Sequence, residues 1–291
     1  MKIPGACSTA IRAVTAGAPQ AAHWLGAVDA ALYLTTTGPH PTVFAVLGSD
    51  AVRLPCGLVL ASTRAELPLT RIAPAHAARV QENAVVGNHR VEWAGPDGLV
   101  TVVAARQWAP LRVRTGSPGP GALAELRSLL TPCELGLEPH RLDRLAEHAD
   151  PTAVAGLLGR GPGLTPSGDD VLAGYLLGAG AFGLEIHPVR AAVAARAPQA
   201  TSALSAQLLR HAARGEAVGE LVELVHVLTD PALDDTAPAD TARERLVGVA
   251  AALLRVGHTS GAGLAWGVLL AGEHAVNRYP SVLSTPHGGH R

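Results

Sequence analysis

Residues 116–121 read Gly-Ser-Pro-Gly-Pro-Gly, and the hydrophobic pattern changes period across them. Three glycines and two prolines in six positions suit neither a helix interior nor a central strand, because proline removes a backbone donor and glycine adds chain freedom. On the N-terminal side, short runs rich in Val, Leu and Thr occupy 32–35, 42–47, 52–61 and 99–108. Turn signals separate them at Thr37-Gly38-Pro39, Gly48-Ser49-Asp50 and Gly95-Pro96-Asp97-Gly98. Alternation also covers 89–93, so 89–108 reads as a hairpin. The expectation is a mostly antiparallel β-sheet or small barrel within a β-rich domain, 1–115, with 116–121 as the linker.

Beyond the linker the apolar spacing is helical. It predicts helices over 122–135, 138–149, 152–158, 167–183, 188–215 with a break near Pro198, 217–228, 241–256 and 260–275. PALDDTAPA at 231–239 reads as a surface loop, and PHGGHR at 286–291 as a frayed tail. The fold class is therefore α+β, the β-rich part being followed by a larger all-helical domain over 122–291.

Composition narrows the chemistry. The 291 residues are 48% hydrophobic and carry a net charge of −1, which offers no general attraction to nucleic acid or to an anionic membrane. Aromatics make up 3%, too few for base-stacking platforms. Lys2 is the one lysine beside 22 arginines. Schiff-base chemistry and a lysine-clamped phosphate loop would both have to recruit it from a terminus expected to be mobile. Cys7, Cys56 and Cys133 are odd in number and lack metal-type spacing, which fits a reducing cytoplasm. No leucine-rich signal core follows the start, and the longest apolar run, 171–184, is too short to span a bilayer. A soluble cytoplasmic protein is expected.

The stretch 159–170, GRGPGLTPSGDD, stands at the entrance of that apolar run. Glycines let backbone N–H groups approach a ligand closely, and a helix start supplies unpaired donors with the positive dipole end. Such a place suits an anion. Ser167 with Asp170 has capping-box spacing. Asp169 and Asp170 read either as carboxylates complementing the dipole or as chemistry: a hold on Mg²⁺ against a phosphate, a grip on a substrate N–H, or a base of raised pKa.

An internal echo repeats this start. SGDDVLAGYLL at 167–177 and SGAGLAWGVLL at 260–270 both begin Ser-Gly and carry a glycine seven residues later, Gly174 and Gly267. Thr165 and Thr259 precede them at nearly matching places. A mid-helix glycine costs roughly 0.5–1 kcal/mol relative to alanine, so a repeated one predicts that the two helices pack closely. If they also point the same way, their N-termini flank one anion pocket. His258 stands just before the second start as a candidate acid, base or phosphate donor. Thr201 and Ser205 share a helix face, with Ser202 alongside and Arg210 beyond, a pattern that suits carboxylate or phosphate recognition as well as a solvated face. There is no G-x-S-x-G, C-x-x-C or H-E-x-x-H.

GPGLTPSGDDVLAGYLLG, TSALSAQLLRHAARGE and GHTSGAGLAWGVLL, in that order, resemble one bacterial family, long described as a domain of unknown function, whose better-understood members are a subunit of oxamate carbamoyltransferase. The resemblance runs strongly over about 151–275. It is weaker in the strand-rich half, where Gln107-Trp108-Ala109-Pro110 closing a strand also matches. It implies carbamoyl transfer between oxalurate and phosphate, in nitrogen metabolism of the allantoin-degrading type, with partner subunits; a homo-oligomer is compatible with it. Carried over by position, it singles out Gly161, Gly163, Thr165, Ser167, Gly168, Asp169, Asp170, Thr201, Ser205, His258, Thr259, Ser260 and Gly261. Gly161–Gly168 and Thr259–Gly261 would hold carbamoyl phosphate or an oxamate-like anion. Asp169 or Asp170 would orient the substrate nitrogen, or Mg²⁺ if one is used, and His258 would carry the proton. No cofactor other than that Mg²⁺ is implied. The departure is Gly263, where family members tend to have an acidic residue, so a mechanism needing a carboxylate from both helices is in doubt. Two alternatives stand beside an enzyme: a non-catalytic subunit that binds substrate or an anion, and a Mg²⁺-dependent phosphotransferase.

Overall fold

The computed structural model describes residues 1–74, 84–230 and 239–278, which divide into two compact units, Met1–Leu111 and Arg112–Arg291. The first is a closed eight-stranded barrel. Its strands are β1 Lys2–Ser8, β2 Gln20–Val28, β3 Ala31–Thr36, β4 Val43–Leu47, β5 Gly57–Leu60, β6 Ala84–Gly87, β7 Arg90–Gly95 and β8 Gly98–Trp108, with a short helix α1 at Arg12–Ala16. The order around the barrel is β1-β5-β4-β3-β2-β6-β7-β8. All neighbours are antiparallel except β1 with β8 and β4 with β5, so the sheet is mixed. Closure leaves no unpaired edge to aggregate.

The small barrel with a mostly antiparallel sheet and the 89–108 hairpin are borne out, and the strand list needs three corrections. Lys2 is not in a loose terminus: it opens β1, and the Met1 ammonium donates to the Leu99 carbonyl at 2.6 Å. Pro4 and Gly5 hide this strand in the sequence, and the register with β8 shifts between Gly5 and Ala6, where a bulge absorbs them. β2 and β6 are also strands outside the expected runs. Conversely, 52–56 is no strand, since Leu54 turns back on Val52 and Gly57 on Leu54 around Pro55.

Alternation decides the barrel interior. β4 and β5 are buried on both faces, while β3 buries Leu32 and Leu34 and leaves Tyr33 half-buried. Trp24 and Trp93 meet edge-to-face at 5.6 Å, and Trp93 Nε1 donates to the Ile72 carbonyl. Trp108 Nε1 donates to the Ala6 carbonyl at 3.1 Å, tying the last strand to the first.

The second unit is helical: α2 Pro120–Leu130, α3 Pro139–His148, α4 Pro151–Leu157, α5 Ser167–Ala181, α6 His187–Ala200, α7 Ala203–Ala212, α8 Gly219–Leu228, α9 Ala239–Leu254 and α10 Ser260–Arg278. Within 116–121, Gly116 donates to the Ala181 carbonyl and Gly119 to the Leu228 carbonyl, before Pro120 opens α2. The break expected near Pro198 falls at Thr201, whose extended backbone separates α6 from α7, while Pro198 stays inside α6. The surface loop read at 231–239 (but for Ala239, in α9) and the tail at 286–291 lie outside the described residues. No helix among the described residues is long and apolar enough to cross a membrane.

α5 is the centre of this unit. Every one of its residues except Gly180 is buried. It packs chiefly on α10, and the two run in the same direction: Thr165 meets Ser260 at one end and Tyr175 meets His274 farther along. The backbones nearly touch. A Cβ at Gly174 would lie 2.0 Å from the Leu264 carbonyl oxygen, and one at Gly267 would lie 2.1 Å from that of Val171. Only glycine fits at either place.

Candidate functional site

The loop before α5 is shaped by glycines in the left-handed region, with φ of 72° at Gly159, 113° at Gly161 and 88° at Gly163. Gly159 also lies so close to the end of α6 that a Cβ would sit 2.1 Å from the Ala200 carbonyl oxygen. Gly161, Gly163 and Leu164 are exposed, whereas the chain from Pro166 through Asp170 is buried. The Gly168 N–H donates to the Arg160 carbonyl at 2.9 Å and the Gly261 N–H to that of Val256. Those two glycines therefore contribute close approach, each lying against the carbonyl of a preceding segment, Leu157 or Leu253.

The capping box is corrected by the structure. Pro166, not Ser167, is the residue before α5, and no side chain caps this helix. Ser167 instead turns across to the other helix start: its Oγ pairs with Thr259 Oγ1 at 3.2 Å, beside Thr165 Oγ1 paired with Ser260 Oγ at 3.0 Å. Each hydroxyl both donates and accepts, so the pairs leave capacity for a further partner. The two starts, more than ninety positions apart in sequence, thus stand side by side with their positive dipole ends together.

α7 supplies a third start. Ser202 caps it by accepting from the Ser205 N–H, and its hydroxyl also donates to the Leu164 carbonyl. Thr201 and Ser205 both donate to Asp169 Oδ2, the latter at 2.7 Å, while the Gly159 N–H donates to Oδ1 at 2.7 Å. Burial pushes the Asp169 carboxyl up, and these three donors pull it part of the way back. Asp169 is the joint of the site rather than a free group. Arg210 lies in the last turn of α7, its Nε donating to the Ala206 carbonyl, and His211 is buried against Glu216 at 2.8 Å.

Asp170 is the opposite case. It is 6% exposed, and its Oδ2 meets no hydrogen-bond partner. Burial pushes its carboxyl up to about 8, with the charge of Asp169 adding to the rise and the Ser260 hydroxyl opposing it. Adjacent carboxylates of the same helical turn are thus chemically distinct. Gly263 faces Asp170 directly, for a Cβ there would come 2.8 Å from the Asp170 Cβ. An acidic side chain at that position has no room in this chain.

His258 is exposed and makes no hydrogen bond or ion pair among the described residues. Among the described residues no three His, Cys, Asp or Glu side chains gather to hold a metal. Gly159, outside the residues expected to bind, and Ser202, expected only alongside Thr201 and Ser205, also take part in the candidate site through Asp169 and Leu164. Both lie inside the quoted words, and what hid them was that each acts through a contact distant in sequence. No solved structure matches the chain. The resemblance read from the sequence is borne out where these helix starts lie, for the family model described as oxamate carbamoyltransferase subunit AllH matches residues 157–272, from the end of α4 into α10.

Proposed function

We propose that this chain acts in carbamoyl transfer, as a subunit that binds a small anionic amide or ureido substrate and phosphate or carbamoyl phosphate at the paired starts of α5 and α10. The observation that carries this reading is the double hydroxyl contact, Thr165 with Ser260 and Ser167 with Thr259, which holds two positive helix ends together. In the reaction a phosphate oxygen attacks the carbamoyl carbon of an N-carbamoyl amide. The carbon–nitrogen bond then breaks, its electron pair leaves with the amide nitrogen, and that nitrogen takes up a proton. Amide donors near the developing oxyanion typically contribute about 2.7–4 kcal/mol each when aimed correctly. His258, exposed two residues before Ser260, is the proton carrier in this reading.

A second reading has a specific observation in its favour. Asp169 is engaged by three protein donors and, among the described residues, His258 has no orienting partner, so these two candidates form no acid–base pair. The chain would then bind substrate while a partner subunit completes the chemistry. A Mg²⁺-dependent phosphotransferase is less well supported, since Asp169 has no oxygen free of protein donors. Turnover of carbamoyl phosphate with oxamate by the purified chain tests the choice. Activity alone establishes a catalytic subunit; calorimetric binding without turnover establishes a binding one. Absence of binding by phosphate, carbamoyl phosphate and oxamate alike rejects both.

A further inference from the structure

α5 and α10 meet as near equivalents. A span of 93 positions carries Gly174 onto Gly267, and each of these glycines faces a carbonyl of the other helix at its matching place. The same span carries Asp170 onto Gly263. There the equivalence fails: one side of the crossing has a carboxyl and the other has no side chain, nor space for one. Asp170 Oδ2 is buried without a donor, a condition that protein interiors seldom leave uncorrected. The Ser260 hydroxyl, half of the pair with Thr165, is the neighbour that acts on this carboxyl. The orphaned oxygen therefore belongs to the same small region as the joined helix starts.

We propose that Asp170 receives the amide end of the substrate and so fixes which way round a vicinal carboxylate–carboxamide lies across the two helix starts. This rests on the binding reading above. Oxamate is planar and nearly two-fold in outline, its ends differing only in O⁻ against NH₂. Two equivalent helix starts would not tell those ends apart. Asp170 does once ionised, because its Oδ2 then accepts an amide N–H, whereas a second carboxylate presents only acceptors and a like charge. The carboxylate end is left to the start of α10 at the Thr165–Ser260 pair, which carries positive potential and, with glycine at 263, no competing acid. Below about pH 8 this carboxyl keeps its proton and can donate to either end, so the discrimination is expected above that value.

The test is titration calorimetry of the full chain at about pH 9, above the value for that carboxyl, with oxamate and with oxalate. Wild type should bind oxamate about tenfold more tightly, and Asp170→Asn, whose amide can face either end, should bring the two within about threefold. Equal binding of both by wild type overturns the proposal without any variant, and so does a preference that survives in Asp170→Asn. If phosphate binds and neither dicarbonyl does, the orientation is wrong and the anion site stands. If none of the three binds, the underlying reading falls with it.

Discussion

Ser205, in the first turn of α7, donates to Asp169 Oδ2 of α5 at 2.7 Å, and with Thr201 and the Gly159 N–H it makes one carboxylate the fastening point of three segments. Removing the acceptor strands every donor at once.

Asp169→Ala should therefore destabilise the fold by about 3 kcal/mol or more, because three buried or half-buried donors lose their acceptor. Ser205→Ala, which leaves Asp169 with two donors, should cost about 1 kcal/mol. Urea unfolding of both variants measures the difference, and equal costs would mean that Asp169 is not the shared acceptor.

Glycine-to-alanine changes along α5 should have opposite signs. At Gly174 the new Cβ would lie 2.0 Å from a backbone oxygen, so that variant should lose several kcal/mol, about 3 or more, or fail to fold. Gly267→Ala should behave alike. At Gly180 nothing lies within 4 Å, and alanine there should add about 0.5–1 kcal/mol. Thermal melts of the three variants check the ordering.

The raised Asp170 pKa has a definite sign in stability. The folded protein holds this proton up to about pH 8, whereas the unfolded chain releases it near the ordinary value of 3.8. Between those limits the native state binds more protons, so this group makes stability fall as pH rises, by about 1.4 kcal/mol per unit at most. Asp169 contributes in the same direction, while the buried His211, lowered by burial, opposes it. The difference between wild type and Asp170→Asn isolates the Asp170 share: the variant should lose less stability from pH 5 to 8, measured by denaturant midpoints.

Thr165 and Ser260 should be energetically coupled. In a double-mutant cycle with Thr165→Val and Ser260→Ala, the single losses should exceed the double by about 0.5–1 kcal/mol. Strict additivity would mean that the hydroxyl contact is not formed in solution.

Much of this was readable in the letters. Period two gave way to a helical period at 116–121, and the fold follows that change. Gly174 and Gly267 announced a close helix pair, because a glycine in a buried helix has few other uses. The first strand was not readable, since Pro4 and Gly5 carry loop character that only a bulge beside β8 reconciles with a ladder. Nor was the difference between Asp169 and Asp170. The two are adjacent and identical in type, and what separates them is Thr201, Ser205 and Gly159 converging on one and not the other. Gly263 read as a missing acid, when the space it would occupy is already filled by Asp170.

The reciprocal glycine contacts of α5 and α10 have a mechanical consequence. Main chain rests on main chain at both, and close-packed backbone cannot yield as side chains do. The pair therefore works as a rigid anvil whose face is the two helix starts. In the proposed binding role, any accommodation of a guest would fall to the exposed turns on either side, 161–164 and 257–258, which carry Gly161, Gly163 and His258.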